Sequence, residues 1–371
     1  MDKVQLFTYF AEKYRHFLYK LYNIPTKGMM PSGTPCHVED PETDITHGDV
    51  IHPCVRYIEE GFEGHKWWMV YTPLYAGKDS LENPRLCYAD SEEEANAPTD
   101  WTFYCIIKDQ PEFGYNSDPT MFFKDDKIYI YWRECKTPKT KELGCSHAVM
   151  GCYVKDKKVF YLEKPIMTEN CPTDDKEVCP TFFATDEKSI AYAMHLSTPM
   201  PKFIQHLPGK IGSFIYRHHL LAIAEGFGLY DSAKSQGIAI WEGNSLEETF
   251  HYSKTIQFKD VNKLYQPWHM DLFTEGTSSY KNIIYAIVQS SIKFADICLA
   301  WSDDHEHFCF FKKPLLTSQN IKKSGLYKPT GLVVNGIFYL YYTARDSEDR
   351  HLNKLFVTSM KWNELLNNVT K

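Results

Sequence analysis

The chain has 371 residues, of which 43% are hydrophobic and 24% are charged, a composition typical of a folded globular protein. This composition excludes a disordered or collagen-like chain, and no apolar run approaches the roughly 18 residues that a membrane-spanning helix needs. The net charge of −7 argues against a nucleic-acid partner.

The N-terminal residues predict one amphipathic helix. Apolar side chains recur there at helical spacing, at Val4, Phe7, Phe10, Tyr14, Phe17, Leu18, Leu21 and Tyr22. The charges between them are mixed in sign, which favours a helix packed on the outside of the domain over a membrane-surface helix. The segment also lacks the small-residue cleavage site of a secretory signal peptide. We therefore predict a helix and a lead-in segment over residues 1–47.

From about residue 48 one structural unit recurs five times. Each copy has a short first strand, often with a proline, then a turn rich in Gly, Asp, Asn or Lys, and then an aromatic strand. The copies begin near residues 51, 117, 179, 268 and 327. A period near 60 residues with three or four strands per unit is typical of a β-propeller, in which stacking around an axis buries both faces of each sheet. The sequence predicts an all-β, five-bladed propeller over residues 48–371.

One copy carries a resemblance to a known family. The segment SDPTMFFKDDKIYIYWRE from Ser117 has an Asp-Pro before an apolar strand, then an acidic turn and a Tyr-rich strand. It resembles the second-blade motif of glycoside hydrolase family 43, and the five-fold unit resembles the propellers of families 43, 32 and 68. The resemblance covers about residues 48–362. It implies a glycosidase with three carboxylates on the inner strands of successive blades, acting as base, pKa modulator and acid.

The three carboxylate positions of that family are only partly matched here. Asp118 occupies the second-blade position. The first-blade position holds His52, with Asp49 three residues earlier as a candidate base. The third-blade position falls near Val178, and Glu177, a candidate acid, is one residue away. A shift of one residue turns a strand side chain to the opposite face unless a bulge corrects it.

Other polar residues open the remaining blades. His269 and Asp271 begin the fourth blade and share one face of a strand with period two. Tyr327 and Lys328 begin the fifth. Together with the polar residues of the first two blades they predict one funnel of mixed acidic, basic and cationic side chains. In it, His52, His269 and Asp271 are expected to orient the substrate or transfer protons.

Further residues are candidates for contacts with a substrate. Glu82 and Arg85 lie in the segment Glu-Asn-Pro-Arg, whose alternative interpretation is a turn with a surface ion pair. Arg133 and Arg345 end aromatic strands, where a guanidinium can bind a carboxylate or phosphate or form a salt bridge between blades. Trp268 is the best candidate for a platform on which a sugar ring stacks.

The sequence specifies no cofactor or metal site. The 11 cysteines form no CxxC pair and no zinc-type cluster. Axial calcium occurs in relatives of the family, but no residue pattern here points to it. Without a signal peptide, the cysteines are expected to be reduced thiols of a cytoplasmic protein.

The leading functional prediction is a carbohydrate-active, glycosidase-like enzyme with a carbohydrate partner and no nucleic-acid or membrane partner. Two alternatives remain open. One is a non-catalytic glycan-binding propeller, and the other is an intracellular enzyme acting on anionic, capsule-type or nucleotide-linked sugars. A pair of inward carboxyl groups about 5–10 Å apart favours hydrolysis. A site dominated by His, Lys and Arg favours anionic sugars.

Overall fold

The computed structural model describes most of the strands and the segments next to them. The described residues are 13, 17, 20, 21, 23, 25–41, 50–74, 81–90, 97–135, 146–154, 159–167, 177–184, 189–196, 236–256, 258–259, 269–275, 284–289, 296–318, 324–345 and 353–369. In several of these strands, including those of the third sheet, only the backbone path is described for most residues.

The described residues form 21 strands and one C-terminal helix. In chain order they are β1 (Thr34–Pro35), β2 (His37–Glu39), β3 (Val50–Phe62), β4 (His65–Pro73), β5 (Arg85–Ala89), β6 (Asp100–Ile106), β7 (Tyr115–Lys124), β8 (Lys127–Cys135), β9 (Ser146–Val154), β10 (Val159–Met167), β11 (Glu177–Ala184), β12 (Ser189–Leu196), β13 (Gln236–Gly243), β14 (His251–Ile256), β15 (Met270–Thr274), β16 (Ile284–Gln289), β17 (Ile297–Ser302), β18 (Cys309–Phe310), β19 (Ser324–Val334), β20 (Ile337–Arg345), β21 (Asn353–Lys361) and α1 (Trp362–Val369).

Within the described residues these strands form five sheets, built from consecutive strands except where β1 and β2 join the last and first sheets. The orders are β2-β6-β5-β4-β3, β10-β9-β8-β7, β11-β12-β13-β14, β15-β16-β17-β18 and β1-β21-β20-β19. The first long strands, β3, β7, β11, β15 and β19, contact one another in this order, and β19 contacts β3 in turn. The first strands therefore form a closed ring at the centre of the fold.

The chain segment before residue 48 also contributes to the sheets. Strand β1 pairs antiparallel with β21, and β2 pairs parallel with β6. The lead-in predicted over residues 1–47 thus adds an edge strand to the last sheet and another to the first. Both strands are short, and short edge strands offer little backbone for pairing with another chain.

The hairpins between first and second strands use the turns that the sequence predicts. Asp125 and Asp126 both have positive φ, at 52° and 56°, between the paired residues Lys124 and Lys127. Asn335 and Gly336 do the same in the last sheet, at 51° and 75°. Two consecutive residues with positive φ match the twist of a tight antiparallel hairpin, which is why Asp, Asn and Gly recur at these turns.

The hydrophobic core lies between neighbouring sheets. One cluster packs Trp68 of the first sheet and Trp132 of the second, and another packs Tyr71 of the first sheet and Tyr339 of the last. A third joins the fourth and fifth sheets and includes Trp362 of α1. All five side chains are at most 1% exposed. Aromatic residues thus fill the space between sheets, as expected for a propeller.

The all-β class predicted from the sequence is confirmed. Of the predicted N-terminal helix, the described residues Lys13, Phe17, Lys20 and Leu21 are helical, and the rest lies outside the described residues. No helix of the described part is long and apolar enough to cross a membrane. Six cysteines, Cys36, Cys54, Cys87, Cys105, Cys298 and Cys309, are described and are free thiols.

Candidate functional site

Three of the first strands carry the same backbone irregularity near their start. His52, Asp118 and Lys328 each precede a proline and have positive φ, at 57°, 52° and 28°. At each of them the pairing register with the second strand shifts, so the strand has a bulge there. Residues other than glycine rarely adopt positive φ, and residues with such a strained backbone are often found at functional sites. The bulges bring these three side chains together.

Asp118 lies at the centre of a buried group of polar side chains. Its Oδ1 is 3.2 Å from Nε2 of His52, 3.8 Å from Nδ1 of His269 and 4.0 Å from Nζ of Lys328. Its Oδ2 is 3.3 Å from an Nη atom of Arg133 and accepts a hydrogen bond from the Ser117 hydroxyl. We call the polar cluster the set formed by His52, Glu82, Asp118, Arg133, His269, Tyr327 and Lys328.

His52 connects Asp118 to a second carboxyl group. Nδ1 of His52 lies 2.7 Å from the Thr72 hydroxyl and 3.3 Å from Oε2 of Glu82. Nε2, which faces Asp118, is also 3.3 Å from the Tyr327 hydroxyl. The imidazole therefore has one carboxyl group at each ring nitrogen, and all three ionisable side chains are at most 4% exposed.

The polar cluster drives the pKa values of the two carboxyl groups apart. Burial raises the pKa of Glu82, His52 only partly offsets that rise, and the Asp118 charge adds a smaller rise. Burial acts in the same direction on Asp118, but Arg133, His52, Lys328 and His269 together hold the pKa of that group well below its ordinary value. Two neighbouring carboxyl groups with opposite shifts are the usual basis for separate acid and base roles.

The two imidazoles of the polar cluster differ in their surroundings. Burial, more than any other factor, lowers the pKa of His269 well below its ordinary value, so this ring is neutral near pH 7. In His52, Nε2 faces the Asp118 carboxylate and the Tyr327 hydroxyl, and Nδ1 faces the Thr72 hydroxyl and the Glu82 carboxyl group. A neutral imidazole can hold its proton on either nitrogen, so a ring in this position can pass a proton between its two sides.

A second layer of polar side chains lies two to four residues further along the first strands. The Arg56 guanidinium donates to both oxygens of Asp271, at 2.7 and 3.0 Å, and the Thr330 hydroxyl donates to the same carboxylate. Arg56 also donates to the backbone oxygens of Met121 and Val55. We call Arg56, Asp271 and Thr330 the clasp, because it links the first, second, fourth and fifth sheets.

The residues of the clasp can be tested for their fit to the axial calcium ion that is seen in relatives of the suspected family. The oxygen atoms of Asp271, Thr330 and Met121 that converge in the clasp already accept hydrogen bonds from the Arg56 guanidinium. A cation thus occupies the place where oxygen ligands converge, and these residues do not fit a calcium ion. Among the described residues, no group of three His, Cys, Asp or Glu side chains is arranged to hold a metal ion.

Arg85 lies in a buried ion pair behind the polar cluster. One of its Nη atoms is 2.6 and 2.8 Å from the two carboxylate oxygens of Asp40, and the Tyr71 hydroxyl donates to the same carboxylate. Arg85 is 2% exposed and Asp40 is fully buried. Of the Glu-Asn-Pro-Arg segment, Glu82 therefore joins the polar cluster, whereas Arg85 contacts the segment that carries Asp40.

The structure brings together most residues that the sequence singled out. His52, Asp118, His269, Tyr327, Lys328, Glu82 and Arg133 meet in the polar cluster, and Asp271 lies in the clasp. Asp49 and Trp268 lie outside the described residues, and for Glu177 and Arg345 only the backbone is described. The pairing register shifts between Val178 and Thr181, so β11, the first strand of the third sheet, contains a bulge.

Several partners in the site were missed from the sequence. Thr72, Arg56 and Asp40 each contact a site residue or its support, yet each lies in an ordinary strand or segment without a motif. Only Thr72 could have been found from the sequence. Thr72 of β4 pairs with Ile51 of β3, the residue before His52, so pairing these two predicted strands places Thr72 beside the imidazole.

The two carboxyl groups should give opposite pH dependences of stability. Asp118, with a lowered folded-state pKa, contributes stability above the ordinary Asp pKa that is lost as pH falls toward its folded value. Glu82, with a raised pKa, contributes stability below the ordinary Glu pKa that is lost as pH rises toward its folded value. We expect Asp118→Asn to cost about 2 kcal/mol near pH 7 and less near pH 3.

Urea unfolding of the wild type, Asp118→Asn and Glu82→Gln at about pH 3, 5 and 7 measures these slopes. Glu82→Gln should remove a loss of stability that the wild type shows as the pH rises. Asp126→Asn, at an exposed turn of the same sheet as Asp118, is the control and should match the wild type. Parallel curves for all four proteins would contradict the opposite shifts.

No protein-family model matches the chain, and no curated protein matches it in sequence. Solved structures do match in fold. An N-acetylgalactosamine deacetylase from F. plautii, solved with blood group B trisaccharide, has 15% identity and a TM-score of 0.62, over 93% of this chain and 98% of that one. The GH43_1 enzyme from Xanthomonas citri, complexed with xylose, has 11% identity and a TM-score of 0.58, over 88% and 89%.

A third structure, a family 117 glycoside hydrolase from Zobellia galactanivorans, has 9% identity and a TM-score of 0.54, over 89% of this chain and 90% of that one. At these identities the matches establish the fold. The resemblance to the propeller-type glycoside hydrolases suspected from the sequence is confirmed at that level. The chemistry of the site rests on the residues of this chain.

Proposed function

We propose that this chain is a carbohydrate-active, glycosidase-like hydrolase whose active site is the polar cluster, and that its five sheets are the blades of one propeller beginning near residue 34. The observation that carries the proposal is the pair of carboxyl groups, Glu82 and Asp118, at opposite nitrogens of His52 with pKa values shifted in opposite directions. Glycoside hydrolysis requires one group that holds a proton and one that stays ionised.

The residues divide the reaction between them. His52 donates the proton on Nε2 to the leaving oxygen as the glycosidic C–O bond breaks, and Glu82 resupplies the imidazole through Nδ1. The ionised Asp118 stabilises the positive charge that develops at the anomeric carbon. A water molecule then attacks that carbon, and its proton returns to the His52–Glu82 pair. The reaction consumes one water and leaves the protein in its starting protonation state.

A substrate reaches the polar cluster from the side where its members are partly exposed. Tyr327 and Arg133 are partly exposed, whereas the other members are buried. Arg133 lies over the ring of Tyr115, at 5.7 Å from its centroid, and Phe113, two residues earlier, is 48% exposed. Aromatic rings beside a polar site form the apolar surface on which a sugar ring packs.

Phe113→Ala should weaken substrate binding without slowing the chemical step. Phe113 is exposed and is not a member of the polar cluster, so its loss is expected to remove packing against a neighbouring sugar and no proton-transfer group. We expect KM to rise about tenfold, equivalent to about 1.4 kcal/mol, with kcat within about twofold of the wild type. Steady-state kinetics on an oligosaccharide measure this, with Ile106→Ala as the matched exposed apolar control. A fall in kcat with unchanged KM would contradict it.

A second candidate function is action on an anionic sugar. Arg133 and Lys328, two basic side chains, lie within 4.0 Å of the Asp118 carboxylate. A carboxylate or phosphate on the substrate would bind favourably beside them, since buried or half-buried cations favour anionic ligands. This candidate uses the same acid–base residues, so it changes the substrate and leaves the chemistry unchanged.

A panel of nitrophenyl glycosides tests both candidates. Neutral hexosides, pentosides, uronides and N-acetylhexosaminides are incubated with the protein, and nitrophenol and acetate are measured separately. Nitrophenol release from a neutral or acidic sugar, lost in His52→Gln, supports glycoside hydrolysis. Acetate release without nitrophenol release would contradict glycoside hydrolysis and indicate amide hydrolysis, the reaction of a deacetylase such as the F. plautii neighbour. Binding of glycans by calorimetry without either product would establish a non-catalytic binding protein.

A further inference from the structure

Asp40 and Arg85 form a buried ion pair outside the polar cluster, more completely enclosed than the Arg56–Asp271 pair of the clasp. The Asp40 carboxylate is 0% exposed and accepts from Arg85 and from the Tyr71 hydroxyl. Asp40 directly follows β2, which the N-terminal segment adds to the first sheet, and Arg85 begins β5 of the same sheet. The pair therefore connects the N-terminal segment to β5, which begins three residues after Glu82.

Such a pair is poorly suited to stabilising the fold. Removing two charges from water is costly, and apolar side chains of similar volume are often as stable or more so. The buried Cys87, close enough to Asp40 for its pKa to be raised by that charge, is a weakly polar neighbour against which such a replacement can pack. Defined geometry is what an Arg–carboxylate pair supplies and an apolar contact does not.

Only two residues separate Arg85 from Glu82, and hydrogen bonds restrain this short segment. Glu82 and Arg85 are separated by Asn83 and Pro84, and the Asn83 side chain binds Arg85 on one side and the Lys108 carbonyl on the other. The Glu82 carbonyl accepts from the Asn116 backbone N–H, two residues before Asp118. Proline fixes its own φ, which limits how far the segment can move.

We propose that Asp40 and Arg85 are positioning residues that hold the Glu82 carboxyl group against Nδ1 of His52. The inference rests on the proposed function for its meaning in catalysis, but the position of Glu82 can be measured without any substrate. Glu82 is 4% exposed and its Oε2 is 3.3 Å from the imidazole. A carboxyl group released from this position becomes hydrated and titrates closer to an ordinary Glu.

The test is a carbon NMR titration of the Glu82 carboxyl group in the full-length protein, with its signal assigned by its loss in Glu82→Gln. Arg85→Lys keeps the charge and loses the planar fork, and Asp40→Asn keeps the shape and loses the charge. We expect both to lower the Glu82 titration midpoint by about one pH unit. Asp90→Asn, which breaks the exposed pair with His65 in the same sheet, is the control and should leave it unchanged.

A double variant separates positioning from folding. Asp40→Leu combined with Arg85→Met replaces the pair by apolar side chains, which should restore the melting temperature lost in the single variants. If positioning is the role, the Glu82 midpoint stays lowered although stability returns. A folded Arg85→Lys and double variant with the wild-type Glu82 midpoint would overturn the proposal.

Kinetics on a cleaved glycoside give the second readout. Both single variants should lower kcat about tenfold with KM within about twofold, because a misplaced proton donor affects the chemical step more than binding. If the NMR midpoint moves but no glycoside is cleaved by the wild type, the positioning role stands and the proposed function fails. If the wild type is active and Arg85→Lys changes neither kcat nor the midpoint, the positioning role fails and the proposed function stands.

Discussion

His52→Gln should lower kcat about 10³-fold on a glycoside that the wild type cleaves. His52 contacts both carboxyl groups of the polar cluster, at 3.3 Å from Glu82 and 3.2 Å from Asp118. Glutamine keeps hydrogen-bonding capacity at this position but cannot transfer a proton. A positioned proton-transfer group contributes about 10²–10⁴-fold to the rate, which sets the expected loss. Steady-state kinetics near pH 7 measure it.

His65→Gln is the matched control for this experiment. His65 lies in the same sheet, stacks on Tyr88 and pairs with the exposed Asp90, away from the ring of first strands. Its replacement should leave kcat within about twofold of the wild type. Both variants are compared by their melting temperatures, so that loss of folding is separated from loss of chemistry. A folded His52→Gln with more than about a tenth of wild-type kcat would exclude His52 as the proton-transfer group.

Arg56→Met should be the most destabilising substitution in the ring. It leaves the Asp271 carboxylate buried beside Thr330 without the guanidinium that donates to both of its oxygens. Removing one partner of a buried ion pair costs about 3–5 kcal/mol, because the remaining charge is uncompensated. Denaturant unfolding should show this as a lower midpoint with an unchanged slope.

Two further variants identify the cause. Arg56→Met combined with Asp271→Leu removes both charges and should recover most of the lost stability. Lys127→Met, which breaks the half-exposed pair with Glu247, should cost at most about 1 kcal/mol. If the double variant is as unstable as Arg56→Met alone, the packing of the Arg56 side chain, and not its charge, maintains the ring.

The repeat pattern made the fold predictable. Hairpin turns with Asp or Asn-Gly, aromatic second strands and a residue before proline in the first strands are local features, and each is visible in a single unit of the sequence. The described sheets begin at β3, β7, β11, β15 and β19, close to the predicted starts. The strands β1 and β2 were not predicted, because two- and three-residue strands at an edge carry no periodicity of their own.

The sequence predicted which face of a strand a side chain occupies, but not which layer of the ring it joins. Period two correctly grouped His269 with Asp271, but the two residues belong to different layers: His269 lies beside Asp118, whereas Asp271 binds Arg56. Arg56 has no motif, and its partners come from three other sheets. Bulges at His52, Asp118 and Lys328 shift the strands locally, and the sequence alone does not show how far each one shifts.

The role of Glu82 depends on contacts that are distant in sequence. Its segment was recognised as unusual, but its partner His52 is 30 residues earlier and its support, Asp40, belongs to the N-terminal segment. Only the register of the first sheet places these residues together. Its raised pKa follows from burial, which no local pattern reports.

The pairing of β1 with β21 makes closure of the fold a step of very long range along the chain. The backbone N–H of Gly33, just before β1, donates to the Tyr342 hydroxyl 309 residues away. Contacts of such long range form late and slowly. Lys328 of the polar cluster also belongs to the last sheet. A folding intermediate in which this sheet has not yet docked therefore lacks both the β1–β21 pair and part of the polar cluster.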